Sequence, residues 1–218
     1  RSLVGSEMCI RDSVIPLNLS LGKEYGIVVI TGPNAGGKTV AMKTVGLCIL
    51  MARAGLHIPA GPDSEIGVLG NLFVDIGDQQ SIENDLSTFS SHLTRLRDLI
   101  KTAKKNDLVL IDEMGTGTDP EEGIALSVAV LDHLRSTRVL CMATTHYGAL
   151  KAYAHENEGI ENGSMIFDHN SLKPTYQFRP GVPGSSYAFE IAARVGLSKQ
   201  VVDHARKLVG SDKNRVES

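Results

Sequence analysis

The sequence predicts an α/β fold with a mostly parallel sheet flanked by helices, followed by a helix-turn-helix tail. The order of apolar and helical segments leads to this prediction. Short apolar runs alternate with helical patterns along most of the chain, and this alternation is typical of the crossover units that build parallel sheets. The chain has 218 residues, of which 42% are hydrophobic and 22% charged. That is enough for one domain with a full core and a small appendage.

The first half of the chain predicts two strands and two helices. Residues 25–31 form a continuous apolar run that suits a buried parallel strand, and residues 71–76 are a second candidate strand. Residues 38–54 carry good helix formers and stop at Gly55, a residue suited to the position after a helix. A second helical face has apolar residues spaced by four and three positions; they are Phe89, Leu93, Leu96, Ile100 and Ala103.

The second half begins with two more apolar strands, predicted at residues 108–111 and 139–144. Between them Pro120 opens a helix at its first position, where a missing N–H costs nothing, and two acids follow in the first turn. The inner face of that helix contains Val128, Leu131 and Leu134. A short helix is expected from Tyr147.

The pattern then changes to a hairpin, predicted at residues 163–167 and 174–178, and two helical stretches at 185–195 and 198–209. The main domain is accordingly placed at residues 14–180 and the tail at 181–218. Residues 1–13 show no sustained helix or strand period and do not begin with Met. They are an atypical flank, either artefactual or a genuine but irregular lead-in, and play no part in the fold prediction.

Charge and cysteine usage limit the class of protein. The net charge of −3 argues against a basic, whole-surface nucleic-acid footprint, although it does not exclude a local basic patch. Cys9, Cys48 and Cys141 show no CxxC spacing, which favours a reduced, cytoplasmic compartment. No apolar run approaches the roughly 20 residues of a membrane helix, and no signal-peptide pattern is present, so no membrane partner is expected.

A glycine-rich loop between the first strand and the first helix matches G-x-x-x-x-G-K-[ST], the phosphate-loop pattern. Its residues are Gly32, Pro33, Asn34, Ala35, Gly36, Gly37, Lys38 and Thr39. The glycines let backbone N–H groups turn towards phosphate oxygens, and the helix directs its positive end at the anion. Lys38 would reach the β- and γ-phosphates, and Thr39 would hold Mg²⁺. The alternative, a turn that binds nothing, is disfavoured because motif and setting agree.

Two acids follow the strand at 108–111. Asp112 could coordinate Mg²⁺ through water, and Glu113 could polarise an attacking water. Solvated acids at a strand end are the commoner case, but the phosphate loop upstream favours the functional interpretation.

Two further positions leave alternatives open. His146 follows the strand at 139–144, where it could sense a γ-phosphate or cap the next helix. Ser87 and Thr88 lie in a hydroxyl-rich helix start, where they could be N-caps or could contact a phosphate.

Together these residues resemble the MutS family of DNA-binding ATPases, which is related to the ABC ATPases. The phosphate loop with Asn34, the STF stretch, the DE pair with its Gly-Thr-Gly-Thr loop, and TTHY occur in the family's order. Two segments are similar to the family's second branch, called MutS-two: DEMGTGTDPEEG at 112–123 and GSMIFDHNSLKPTYQFRPGVPGSSYAFEIA at 163–192. The resemblance extends from about residue 14 to residue 210.

The resemblance implies a P-loop NTPase of the ABC-like type, with an ATPase domain at 14–180 and a dimerisation tail at 181–218. The loop would bind ATP and Mg²⁺, with Thr39 and Asp112 at the metal. Lys38, Glu113 and His146 would act in hydrolysis, as phosphate ligand, catalytic base and switch histidine. Ser87 would reach in trans to the γ-phosphate bound by a second copy. Asp119 would lie in the loop that passes close to the opposite nucleotide.

The resemblance also implies a parent protein, cytoplasmic and homodimeric through the ATPase face and the C-terminal helices. Its DNA, including mismatched DNA, would be held by domains absent here, and a nuclease would also lie outside this chain. Suppression of recombination, DNA repair, and RNA binding at stalled ribosomes would belong to that parent. In the family, residues just before Pro16 help to cover the adenine ring; here that stretch is the atypical flank.

Three alternatives compete with an ATP-hydrolysing domain. The first is a nucleotide-gated dimerisation module with negligible turnover, and the second is the ABC-type head of another DNA-repair ATPase. The third, a small-molecule kinase, is disfavoured because no acceptor-site lid is apparent.

Overall fold

A six-stranded sheet with helices on both faces forms the centre of the structure, a computed structural model. It describes residues 15–33, 36–77, 85–168, 171, 173–185 and 187–216, with the backbone alone at 85–88 and 210–216. In chain order the elements are β1 Ile27–Thr31, α1 Lys38–Arg53, β2 Leu72–Asp75, α2 Asp85–Thr102, β3 Leu108–Ile111, α3 Pro120–Ser136, β4 Leu140–Thr145, α4 Gly148–Glu156, β5 Ile160–Asp168, β6 Lys173–Pro180, α5 Ala188–Arg194 and α6 Lys199–Val216.

The strands lie in the order β2-β3-β4-β1-β5-β6. All neighbouring pairs are parallel except β5 and β6, which form an antiparallel hairpin. The predicted mostly parallel α/β sheet is therefore confirmed. Because β1, β3 and β4 are adjacent and parallel, the loops that follow them meet at one edge of the sheet. This edge holds the phosphate loop, the Asp112–Glu113 pair and His146.

The core has two layers, one on each face of the sheet. Alternate residues of β1 divide between them: Val29 packs with Leu131 of α3, and Val28 packs with Met42 of α1. Both faces are covered, which explains why the strand has no polar alternation. Full burial of each such side chain contributes about 1.5–3 kcal/mol relative to exposure.

Most predicted elements are confirmed, with shifts at their ends. β3 begins and ends where predicted, and α1 ends at Arg53, close to Gly55 with its φ of 73°. The apolar face predicted on α2 is present and packs against the core. Leu99 is its buried residue, at 4% exposure, whereas Leu93 is 38% exposed. The reason is that Leu93 faces a cavity between α2 and α3 instead of packed side chains.

Helix α5 begins at Ala188, three residues later than predicted, because the preceding segment is bonded to the end of β1. Helix α2 includes position 87 within its described length, so Ser87 and Thr88 are not N-caps of it. Asn34, Ala35 and residues 1–14 lie outside the described residues. The interpretation of the flank and the boundary at 180 stay predictions.

Among the residues that the structure describes, no helix has both the length and the apolar character needed to cross a membrane.

Candidate functional site

The predicted phosphate loop leads from the buried end of β1 into the N-terminus of α1. Gly37 is the N-cap of that helix, in the left-handed region with a φ of 90°, and no side chain caps the helix there. The first N–H groups of α1 are thus free of side-chain caps, the arrangement that suits an anion. The N–H of Gly36 donates to the carbonyl of Pro33 at 3.0 Å, which folds the loop back on itself.

Lys38 is the first residue of α1 and is only 2% exposed. Its Nζ donates to the carbonyls of Gly32 at 2.8 Å and Pro33 at 2.9 Å. Burial lowers the pKa of Lys38 to about 8, although the nearby carboxylates of Asp112 and Glu113 oppose this. The ammonium group therefore lies under the loop, with two of its donors held by loop carbonyls.

Asp112 follows β3 and is held by hydroxyl groups from two neighbouring elements. Thr39 of α1 donates through Oγ1 to Asp112 Oδ2 at 2.6 Å, and Thr144 of β4 donates to Oδ1. Mg²⁺ prefers oxygen ligands and is usually held by one or two protein groups together with waters and substrate phosphates. The paired oxygens of Thr39 and Asp112, beside the phosphate loop, fit such an ion.

Glu113 adopts an unusual backbone conformation, with a φ of 52°. A non-glycine residue in this region carries a strain of about 1–3 kcal/mol, and such strain concentrates at functional sites. Its N–H donates to Thr144 Oγ1 at 2.8 Å, and its carbonyl accepts from the Thr116 hydroxyl at 2.8 Å. These bonds fix the backbone turn at Glu113.

His146 faces Glu113 across the same edge, with Nε2 3.9 Å from Glu113 Oε1. Burial and the charge of Lys38 lower the pKa of His146, against the opposing effect of the two acids. The next helix has Tyr147 as its N-cap and no side-chain cap hydrogen bond. The capping alternative for His146 thus has no support in the geometry.

The loop after Glu113 is tied to the start of α3. Asp119 is the N-cap of α3 and accepts from the N–H groups of Glu121 at 2.9 Å and Glu122 at 3.4 Å. A Cβ on Gly123 would lie 2.3 Å from the carbonyl oxygen of Gly115. Only a residue without a side chain allows this approach, which accounts for two glycines of the DEMGTGTDPEEG motif.

Ser87 cannot be placed against the loop, because its side chain lies outside the described residues. Its backbone belongs to the first turns of α2. The trans role of Ser87 stays a prediction.

Sequence reasoning missed three residues of this edge. Thr144 binds both acids, as described above. Tyr176 of β6 lies on the phosphate loop, where a Cβ on Gly37 would be 2.9 Å from its ring, and Tyr176 is 44% exposed. No local signal identifies either residue, because each contact joins distant parts of the chain. The TTHY segment pointed only to the neighbouring histidine.

The third missed residue is Asp75, buried at the end of β2. Its Oδ2 lies 2.8 Å from His92 Nδ1, and its Oδ1 accepts from Arg95, both on α2. Burial alone would raise the pKa of Asp75, but the bonds from His92 and Arg95 outweigh it and hold the pKa below its usual value. The carbonyl of Asp75 accepts the N–H of Asp112 at 2.9 Å, so this ion-pair network joins α2 to the acid pair.

A cavity of about 370 Å³ lies behind the acid pair, between α2 and α3. Its apolar lining includes Phe89, Leu93, Leu96, Ile111, Leu126 and Val130. Asp112 and Glu113 also line it, so the cavity adjoins the predicted nucleotide site from the side of α2 and α3.

The structure thus brings Lys38, Thr39, Asp112, Glu113 and His146 to one edge of the sheet, around the N-terminus of α1. The family described as MutS domain V matches residues 28–211. This chain belongs to the MutS family. Membership of its domain V implies nucleotide binding, and the predicted ABC-like P-loop fold agrees with it.

The chain is also similar to three proteins named Endonuclease MutS2, from Bacillus mycoides (strain KBAB4), Bacillus thuringiensis (strain Al Hakam) and Bacillus cereus (strain AH820). Each is 52% identical over 205 residues, which cover 94% of this chain but 26% of the relative. The chain therefore spans about a quarter of the length of the curated relatives it matches. The resemblance to the second MutS branch is confirmed, and the chain is a MutS2-type ATPase domain.

Proposed function

We propose that this MutS2-type domain binds ATP with Mg²⁺ and hydrolyses ATP to ADP and phosphate. One observation carries the proposal: Thr144 Oγ1 holds both the Asp112 carboxylate and the Glu113 N–H, beside the Thr39 hydroxyl at the start of α1. This hydroxyl supports the proposal because it holds the Asp112 carboxylate and the backbone of Glu113 beside the phosphate loop.

Binding follows from the groups around the loop. The uncapped N–H groups of α1 and the ammonium of Lys38 would bind the phosphate oxygens. To do so, Lys38 would give up its hydrogen bonds to the carbonyls of Gly32 and Pro33. Thr39 and Asp112 would hold Mg²⁺, which when bound neutralises charge on the phosphates. We infer that the exposed ring of Tyr176, which lies against Gly37, would stack on the adenine base.

Hydrolysis would use the carboxylate of Glu113 as the general base for the attacking water. The loop N–H groups and Lys38 would stabilise the charge that develops on the transferred phosphoryl group. His146, 3.9 Å from Glu113, would report the γ-phosphate by hydrogen bonding. Because burial disfavours its charged form, a neutral imidazole is the expected state above its ordinary pKa.

Glu113→Gln tests the assignment of the base. We expect phosphate release to fall about 10²- to 10⁴-fold, while Mg·ATP binding by titration calorimetry stays near the wild-type value. Glu156→Gln, which changes an exposed acid at the end of α4, serves as control. Wild-type turnover in Glu113→Gln would reject Glu113 as the base. Saturable binding without turnover in the wild-type chain would favour the nucleotide-gated dimerisation module.

We further propose that the domain acts as a homodimer. Its two copies would be joined through the ATPase face, which carries the predicted ATP site, and through the C-terminal helices α5 and α6. Exposed apolar side chains on and between α5 and α6 support this; they are Ile191, Val195, Leu197, Val201, Leu208 and Val209. In this arrangement Ser87 would complete the site of the second copy.

The relatives' name leads to a proposal about the parent protein. In a MutS2-like parent, ATP turnover here would drive domains that hold DNA, in repair and in suppressing recombination. The endonuclease activity named for the relatives, and any action on stalled ribosomes, would come from other parts of such a parent.

A further inference from the structure

A short segment between the hairpin and the tail runs back across the end of β1. The N–H of Gly181 donates to the carbonyl of Asn162 at 2.8 Å, which starts this return. The N–H of Gly184 then donates to Thr31 Oγ1 at 2.7 Å. Thr31 is the last residue of β1, directly before the phosphate loop.

The approach at Gly184 is close enough to exclude any side chain. A Cβ there would lie 2.5 Å from the carbonyl oxygen of Thr31 and 2.9 Å from the Cα of Gly32. Backbone therefore packs directly against backbone at the first residue of the loop. At this contact, a shift of one backbone segment would meet the other.

Lys151 is also hydrogen-bonded to this segment. Its Nζ donates to the carbonyl of Gly184 at 2.5 Å, and its own carbonyl accepts from the side-chain amide of Asn162 at 2.9 Å. Burial lowers the pKa of Lys151, which indicates that the ammonium is partly removed from water. Lys151 lies on α4, the helix that follows His146.

The chain beyond this segment is firmly attached to the hairpin and to α6. The ring of Tyr187 stacks on that of Phe167 with centroids 5.3 Å apart, and Arg194 of α5 donates to the carbonyl of Ser171 at 2.6 Å. Glu190 of α5 pairs with Arg206 of α6 at 2.9 Å. Only a short stretch of chain separates Gly184 from α5, so we expect a displacement at Gly184 to reach α5 and, through the Glu190–Arg206 pair, α6.

We propose that Gly184 and Lys151 are positioning residues that couple the phosphate loop and the helix after His146 to the C-terminal helices of the same chain. This inference rests on the proposed nucleotide site. When Lys38 leaves the carbonyls of Gly32 and Pro33 for a phosphate, the first peptides of the loop must readjust. The contact of Gly184 with Thr31 and Gly32 carries that readjustment to α5, and the Lys151 bond keeps the segment in place.

Hydrogen exchange of the α5 amides, with and without a non-hydrolysable Mg·ATP analogue, tests the coupling. In the wild type we expect saturating analogue to change the exchange rate about fivefold or more. In Lys151→Met we expect the affinity for the analogue to stay within about threefold, while most of the α5 response is lost. Lys101→Met, at the end of α2, should keep the full response. A purely structural role would change exchange equally with and without nucleotide.

Gly184→Ala provides an independent test, because its Cβ would push against the loop itself. We expect a loss of affinity for the analogue of about tenfold, whereas Gly67→Ala, at a position with open space around it, should bind normally. An unchanged α5 response in Lys151→Met, or no α5 response in a wild type that binds the analogue, overturns the proposed coupling but leaves the proposed function standing. Failure of the wild type to bind the analogue in calorimetry overturns the proposed function and, with it, the coupling.

Discussion

Thr144 uses one hydroxyl group for two acids, donating to Asp112 and accepting from the Glu113 N–H. Valine has nearly the same shape but leaves the buried N–H without a partner, which costs about 1–3 kcal/mol. We predict that Thr144→Val lowers the kcat for phosphate release about ten- to a hundredfold, with little change in nucleotide affinity.

Thr144→Ser restores the hydroxyl and removes only a methyl group, so it should recover most of the turnover lost in Thr144→Val. Steady-state phosphate release at saturating Mg·ATP measures both variants. Equal turnover in wild type and Thr144→Val would show that this hydroxyl does not position the acids.

The protonation state of Lys38 should make nucleotide binding depend on pH. Its pKa is about 8 in the free protein, and phosphate oxygens in place of carbonyls will raise it, because an anion favours the charged form. Above pH 8 the free protein has largely lost this proton and must take it up to bind ATP. We predict that affinity falls as pH rises through 8, by up to about tenfold per pH unit.

Calorimetry in two buffers of different ionisation enthalpy counts the protons. About half a proton should be taken up per bound nucleotide at pH 8, and close to one at pH 9. Lys38→Arg should show no uptake, since arginine stays protonated throughout this range. Absence of uptake by the wild type at both pH values would contradict the prediction.

At the scale of elements, the start of α3 is held against the loop after Glu113 by the contact of Gly115 with Gly123. Replacing a glycine inside a helix by alanine normally stabilises by about 1 kcal/mol. Here the added Cβ would lie 2.3 Å from backbone oxygen. We therefore predict that Gly123→Ala lowers both the free energy of unfolding and the turnover.

Denaturant unfolding and phosphate release measure the two effects. Gly148→Ala is the matched control, because a Cβ at this first position of α4 would meet nothing within 4 Å. A Gly123→Ala protein more stable than wild type would show that the loop can move aside.

Local sequence was sufficient for the parts of the fold that depend on local signals. The apolar run of β3, the Pro120 start of α3 and the glycine after α1 gave element positions because burial, helix capping and backbone freedom act over a few residues. The phosphate loop was recognisable for the same reason, since its motif spans eight consecutive residues.

Long-range contacts could not be predicted in this way. Gly184 and Thr31 are far apart in the chain, as are Tyr176 and Gly37, and nothing near either residue indicates its partner. The late start of α5 has the same origin, since Gly184 is held at the end of β1. The partial exposure of Leu93 depends on a cavity that only the packing of α2 and α3 creates.

At the scale of the whole molecule, the site is built on one edge of the sheet and opens away from the core. Every group assigned to ATP there lies on α1, on β6 or in the loops that follow β1, β3 and β4, except Ser87 on α2. The network of Asp75, His92 and Arg95 fixes α2 to the far strand β2 of the sheet. Ser87, at the start of this helix, would therefore contact a nucleotide bound by a second copy more readily than one bound by its own chain.

Mixing two inactive variants tests that arrangement. Lys38→Ala disables the loop of its own chain, and Ser87→Ala is expected to cost about ten- to a hundredfold through loss of a hydrogen bond to charged phosphate. In a mixed dimer with trans sites, one site combines the intact Lys38 of one copy with the intact Ser87 of the other. Random mixing in equal amounts makes half of the dimers mixed, and each mixed dimer has one complete site of two. Phosphate release should then return to about a quarter of the wild-type rate. If Ser87 acts within its own chain, no site in any dimer has both residues, and mixing restores nothing.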